Sequence, residues 1–197
     1  MRARENTGRV LDDPPLAKLL FGDPRFALLW LPLRLFLGWQ WLSHGLEKLG
    51  NPKWAVTGEA LKGFWESAIR VPAPPARAPI AYDWYRDFIN ALLTGGHYTW
   101  FAKLVIFGEL VLGVALILGA FTGIAAFSGG FMNWNFVMAG TASANGLMFA
   151  IATWLVLAWK NSGWIGLDYF LLPLVGTPWK PGRMFAPRAF REEATTA

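Results

Sequence analysis

Cysteine is absent from this chain, and histidine occurs only at His44 and His97. Disulfides, thiolate nucleophiles, iron–sulfur clusters and cysteine-held zinc are therefore excluded within it. With two imidazoles, any redox centre that needs more ligands must be held by another subunit. Acids are sparse too, 13 against 18 Lys and Arg, for a net charge of +5. No basic run carries interleaved aromatics, so this charge suits chain orientation and lipid headgroups, not nucleic acid. What abounds is apolar: the chain is 54% hydrophobic, with 12 Trp and 15 Phe, and its mean hydropathy is +0.33. That is the composition of a small polytopic protein of the lipid bilayer.

The segment from Phe26 to Lys48 (FALLWLPLRLFLGWQWLSHGLEK) is long enough to cross a bilayer, which takes about 20 mostly apolar residues. Arg34, Gly38, Trp41, Gly45 and Lys48 recur at steps of four, three, four and three, so they share one helical face. An arginine in hydrocarbon is costly and marks a function or a paired partner. Further spans are expected at about 101–121, with Glu109 in its middle, at 123–141, with Asn133 and Asn135, and at 143–160. The fold class expected is all-α: a polytopic membrane four-helix bundle, residues 26–160, after an N-terminal segment 1–25 and before an interfacial segment and tail, 161–197.

Between the first two spans, the 51–99 loop reads as two short amphipathic helices flanking the stiff run VPAPPARAP (71–79). Their Trp, Tyr and Phe content suits the membrane–water interface, with Leu61, Phe64, Trp65 and Trp84 buried. Residues 1–25 carry five Lys/Arg, and the tail from Lys160 five more, against six in the much longer Gly45–Trp100 loop. The first helix thus reads as an uncleaved anchor of a multi-pass cell-membrane protein, with both termini cytoplasmic and the loop outside.

Counted from the cytoplasmic edge, Arg34 lies at roughly 12 Å, Glu109 at roughly 15 Å and Asn133 at roughly 16 Å. These depths predict a buried polar layer of Arg34, Glu109, Asn133 and Asn135, with Trp41 on its border and Arg34 paired with Glu109. Such a layer is either a salt bridge fixing the bundle or a site for a quinone headgroup and its proton. At the outer end, His44, Glu47, Lys48, Asp83 and His97 are candidates for a second cluster. No ligand spacing there supports haem or zinc, and no metal is expected.

The face of Arg34, Gly38, Trp41, Gly45 and Lys48, with Glu109 and Gly113 after it, resembles the DoxX/DoxD family of four-helix membrane proteins. PKW (52–54), YDWYRDF (82–88), MNWNFVMAGTAS (132–143) and GWIGLDYFLLP (163–173) add to the resemblance. It implies an integral membrane subunit of a quinone-linked oxidoreductase, since DoxD is the large subunit of a thiosulfate:quinone oxidoreductase. Quinone is then the implied cofactor, with Arg34 and Glu109 as catalytic candidates. The implied partner is a DoxA-like small subunit, and a homo-oligomer is compatible with the same resemblance. The alternative is a membrane scaffold that docks redox or sulfurtransferase proteins in an oxidative-stress complex, with no catalysis of its own.

Overall fold

Proline and glycine set several of the helix boundaries. Proline opens the first turn where its missing N–H costs nothing, at Pro15, Pro24 and Pro52, and glycine follows the last turn at Gly50, Gly95, Gly119 and Gly176. The structure, a computed structural model, describes residues 13–176. The described residues form helices and no strand: α1 Pro15–Gly22, α2 Ala27–Leu49, α3 Pro52–Ala55, α4 Glu59–Ala68, α5 Asp83–Thr94, α6 Tyr98–Leu118, α7 Thr122–Met138, α8 Asn145–Leu157 and α9 Asp168–Val175. A single 3-10 turn, Pro24–Phe26, leads into α2. Most of the basic residues used to orient the chain, Arg2, Arg4, Arg9 and those after Gly176, lie outside the described residues.

The four long helices close a ring, with α2 against α6 and α8, and α7 against the same two. The tightest seam is α2 on α6. A Cβ at Gly113 would stand 2.6 Å from the backbone nitrogen of Leu42, and one at Gly38 would stand 3.1 Å from the Gly113 oxygen. Around this seam Trp30, Leu37, Trp41, Leu116, Met148 and Leu155 fill the main core. A second core lies at the far end, where Leu61, Trp65, Ile80, Tyr85 and Ile89 clamp the loop helices onto Ala102 and Ala139. The outer surface is apolar: Leu104, Phe107, Val111, Val114 and Leu118 form an exposed stripe along α6, and Ile124, Phe127, Phe131 and Trp134 one along α7.

Only α6, at 21 residues and a mean hydropathy of 2.3, is long and apolar enough by itself to cross a bilayer among the described residues. The helix in the stretch expected as the fourth span, 143–160, is shorter than that stretch. At its start Ser143 adopts a positive φ of 28°, while Thr141 bonds back to the Phe136 carbonyl, so helix α8 begins only at Asn145. Turns replace helix after Leu157. The loop helices bury Leu61 and Trp65 and half-bury Phe64, but Trp84 is 59% exposed. It sits about 100° around α5 from Tyr85, which takes the inward place.

Gly113→Ala is expected to lower the unfolding temperature in detergent, because its methyl meets Leu42 backbone that cannot swing aside. Gly63→Ala, in α4 with nothing within 4 Å of its Cβ, is expected to raise stability by about 0.5–1 kcal/mol. Equal effects of the two changes in thermal melts would contradict the seam.

Candidate functional site

Seated on the inner face of α2 and only 2% exposed, Arg34 faces the end of the bundle where α2 and α7 begin. Its guanidinium donates to two backbone carbonyls, Nη1 to Ser162 at 3.0 Å and Nη2 to Ile165 at 2.7 Å. Both belong to the turn that follows α8. That turn is pinned in place by Leu167 N–H donating to Leu118 O at 3.0 Å and Asp168 N–H to Gly119 O at 2.7 Å. The buried Asp168 carboxylate then accepts from the N–H groups of Phe121, at 2.5 Å, and Thr122, at 2.9 Å. It caps α7 from 46 residues away, where a helix start has unpaired donors and favours an anion. Gly119, at φ 67°, lies against the Arg34 guanidinium and has no room for a side chain. Asn161 fastens α1 to the same end by donating to the carbonyls of Leu20 and Asp23.

Glu109 is at the opposite end. Only 1% exposed, it accepts from Lys48 Nζ through both oxygens, at 2.6 and 2.7 Å. The ammonium lies 5.3 Å from the Trp54 ring centre and 5.9 Å from that of Phe136, within cation–π range. The expected Arg34–Glu109 pair is therefore not formed. The depth count aligned Phe26 with Gly119, whereas the seam sets Arg34 itself beside Gly119, about two helical turns away. Glu109 consequently falls opposite Lys48, and the anion whose field reaches Arg34 is Asp168.

The rest of the expected polar layer is divided. Asn133 is fully buried, and neither end of its amide makes a hydrogen bond to the protein. Trp41 is buried with its indole N–H over Gly129, likewise without an acceptor. Asn135 points elsewhere: its amide donates to Phe131 O, and its side-chain and backbone oxygens accept from Tyr85 OH at 3.2 and 3.0 Å. Among the outer-end candidates, His44 and Glu47 lie within electrostatic reach of Lys48 or Glu109. His97 and Asp83 do not join them. His97 is exposed and accepts from Trp100, while Asp83 pairs with Arg86 on its own helix. Among the described residues no three His, Asp or Glu side chains gather as a metal site.

Beside the Lys48–Glu109 pair lies a cavity of about 350 Å³, enclosed by α4, α5, α6 and α7. Its walls are apolar and aromatic, among them Trp65, Ile89, Phe101 and Val105, and its polar groups come from Tyr85 and Asn135. Burial pushes the Tyr85 phenol above its ordinary value, so the group stays neutral at physiological pH and keeps its O–H. Exposed Phe88, Leu104 and Phe131 form the cavity's rim on the apolar outer surface. Neither Tyr85 nor Asp168 was singled out from sequence. Asp168 carried a usable signal, a lone acid in the apolar run GWIGLDYFLLP, whereas Tyr85 looked like any inward aromatic of an amphipathic helix.

The DoxX family model matches residues 29–142, from the start of α2 to just past the end of α7. Neither curated proteins nor solved structures gave a match.

Asp168→Ala is expected to cost about 2–4 kcal/mol, since it strips two backbone donors of their acceptor and Arg34 of its nearest anion. In thermal melts, Arg34→Met and Asp168→Asn should be non-additive, while Arg34→Met and Glu109→Gln should add. Coupling between Arg34 and Glu109 would contradict the register.

Proposed function

Because the chain belongs to the DoxX family, a family of membrane proteins, we propose that it is a four-span subunit that binds a lipid quinone for a separate electron-donating partner. The observation that carries this reading is the aromatic cavity with its Tyr85–Asn135 pair, rimmed by apolar side chains that face outward. Its volume is within the range of small-molecule sites, about 300–1,000 Å³. A flat ring would lie against the walls made by Trp65, Phe101 and Phe88, with an isoprenoid tail leaving over Leu104 and Phe131 into lipid. The Tyr85 hydroxyl, which donates to Asn135, can turn to donate to a ring oxygen or accept from its reduced form. Quinone, when bound, supplies the two-electron acceptor chemistry that no side chain of a cysteine-free chain offers.

The apolar stripes on α6 and α7 support burial of the bundle in a bilayer, since exposed patches of that extent are rare in water. In this topology α2, α6, α7 and α8 are the spans. The turns flanking α8 sit at the two interfaces, and the one after α8 carries Trp159, Trp164 and, at the start of α9, Tyr169, aromatics at home there. The N-terminal end then faces the cytoplasm and the loop helices α4 and α5 the other side. Electrons come from a DoxA-like subunit or a soluble redox or sulfurtransferase protein, and thiosulfate is the donor substrate implied by the DoxD resemblance.

The test is titration of the purified chain in nanodiscs with a short-tailed ubiquinone analogue, followed by tryptophan fluorescence. Saturable quenching is expected, with Tyr85→Phe weakening it about fivefold, the worth of one hydrogen bond of about 1 kcal/mol. Quenching that stays linear and matches that of a cavity-filling variant such as Ala139→Phe would refute it.

A further inference from the structure

Phe136 is the one ring common to the cavity wall and the Lys48 ammonium. Its side chain lines the cavity, and Lys48 Nζ lies 5.9 Å from its ring centre. The ring is half-buried, meets Phe64 of α4 edge-on at 6.4 Å between centres and also packs against the main core. Behind it the polar groups are incompletely used. An ammonium has three donors, and Glu109 takes two of them. No carbonyl or carboxylate of the described residues takes the third.

A second observation stands apart from that one. Gly129, Asn133 and Phe136 follow one another along a single face of α7, four and three residues apart, and Trp41, Gly45 and Lys48 do the same on α2. Trp41 meets Gly129 and Lys48 meets Phe136, so the two faces run parallel and Asn133 falls between these contacts. Its amide, fully buried and with neither end hydrogen-bonded, is therefore one turn from Phe136 on the side of Lys48. Leaving a buried amide unpaired costs free energy, and such a group in a native core calls for an explanation.

We propose that Lys48 and Asn133 form a second polar station for the cavity's ligand, opened when the Phe136 ring turns aside. The ligand class is an apolar ring or chain bearing a carbonyl-type acceptor oxygen. This inference rests on the quinone reading above, which it deepens by giving the ligand two positions: a shallow one at Tyr85 and a deep one at Lys48. In the deep position the acceptor oxygen takes the third N–H of Lys48 and the Asn133 amide, while Glu109 keeps the ammonium neutralised. Lys48 and Asn133 thus fix where the ring sits, and Phe136 decides whether it gets there.

The experiment is difference infrared spectroscopy of the carbonyl stretch of the same ubiquinone analogue, isotope-labelled at one carbonyl, bound to the full chain in nanodiscs. The wild-type chain is expected to show a down-shifted band, the mark of a carbonyl hydrogen-bonded to a cation, beside an unshifted one. The Lys48→Met/Glu109→Gln double variant, which keeps the site neutral, should lose the shifted band and bind about tenfold more weakly. Should that variant fail to assemble, Phe136→Trp tests the same point: binding at the cavity persists but the shifted band vanishes, because the larger ring closes the passage. Tyr85→Phe should leave the shifted band in place. Saturable binding with a carbonyl band that the Lys48/Glu109 and Phe136 variants leave unchanged overturns the second station alone. Absence of saturable binding by the wild-type chain overturns the quinone reading with it.

Discussion

Gly38, Gly45 and Gly113 let the backbones of α2 and α6 close until no side chain fits between them. Without a hydrophobic drive between helices in lipid, such close backbone contact is a main source of association. It also fixes the longitudinal register, and the Lys48–Glu109 ion pair between α2 and α6 follows from that. Lys48 comes level with Glu109, and Arg34 comes level with Gly119. A slip by one turn would part Glu109, only 1% exposed, from the Lys48 ammonium. A charge stranded in hydrocarbon costs about 3 kcal/mol or more, so register and charge pairing reinforce each other.

The two ends of the bundle use their polar groups differently. Where α2 and α7 begin, the charged groups are bonded to backbone, although Arg34 Nε, Thr122 Oγ1, Asn161 Oδ1 and Ser162 Oγ are buried without a partner. Arg34 takes two carbonyls, Asp168 takes two N–H groups, and the glycine turn at 119 is locked between them. That network closes the end and ties α9 to the bundle. At the far end the ion pair is wrapped in aromatic rings, and beside it are an unpaired amide and a cavity. A bundle needs only the first arrangement to hold together. The second sets an aromatic cavity with polar groups of its own beside the ion pair, which is why the functional reading is placed there.

Much of this was legible in the sequence. The step pattern of Arg34, Gly38, Trp41 and Gly45 names one face, and all four are buried. The amphipathic helix expected after the stiff run 71–79 is present as α5, with Tyr85 and Ile89 turned inward. Spacing along one helix, however, says nothing about how far that helix slides against its neighbour. Depth counting assumed that spans begin level, but the 3-10 turn and α1 precede α2 and let it start further out than α6 ends. The partners of Arg34 were missed for a second reason. They are mostly backbone carbonyls in a turn, and a sequence does not advertise which carbonyls are left over. The ends of α8 were missed because Ser143 in a left-handed conformation stops a helix that small residues would otherwise continue.

The central claim is that the register set by the glycine seam pairs Lys48 with Glu109. The most direct measurement is a double-mutant cycle on thermodynamic stability in bicelles, using Lys48→Met, Glu109→Gln and their combination. Each single change is expected to destabilise by about 3 kcal/mol, with the double variant recovering most of it, because a neutral pair needs no partner. Losses that simply add, with no recovery in the double variant, would contradict it.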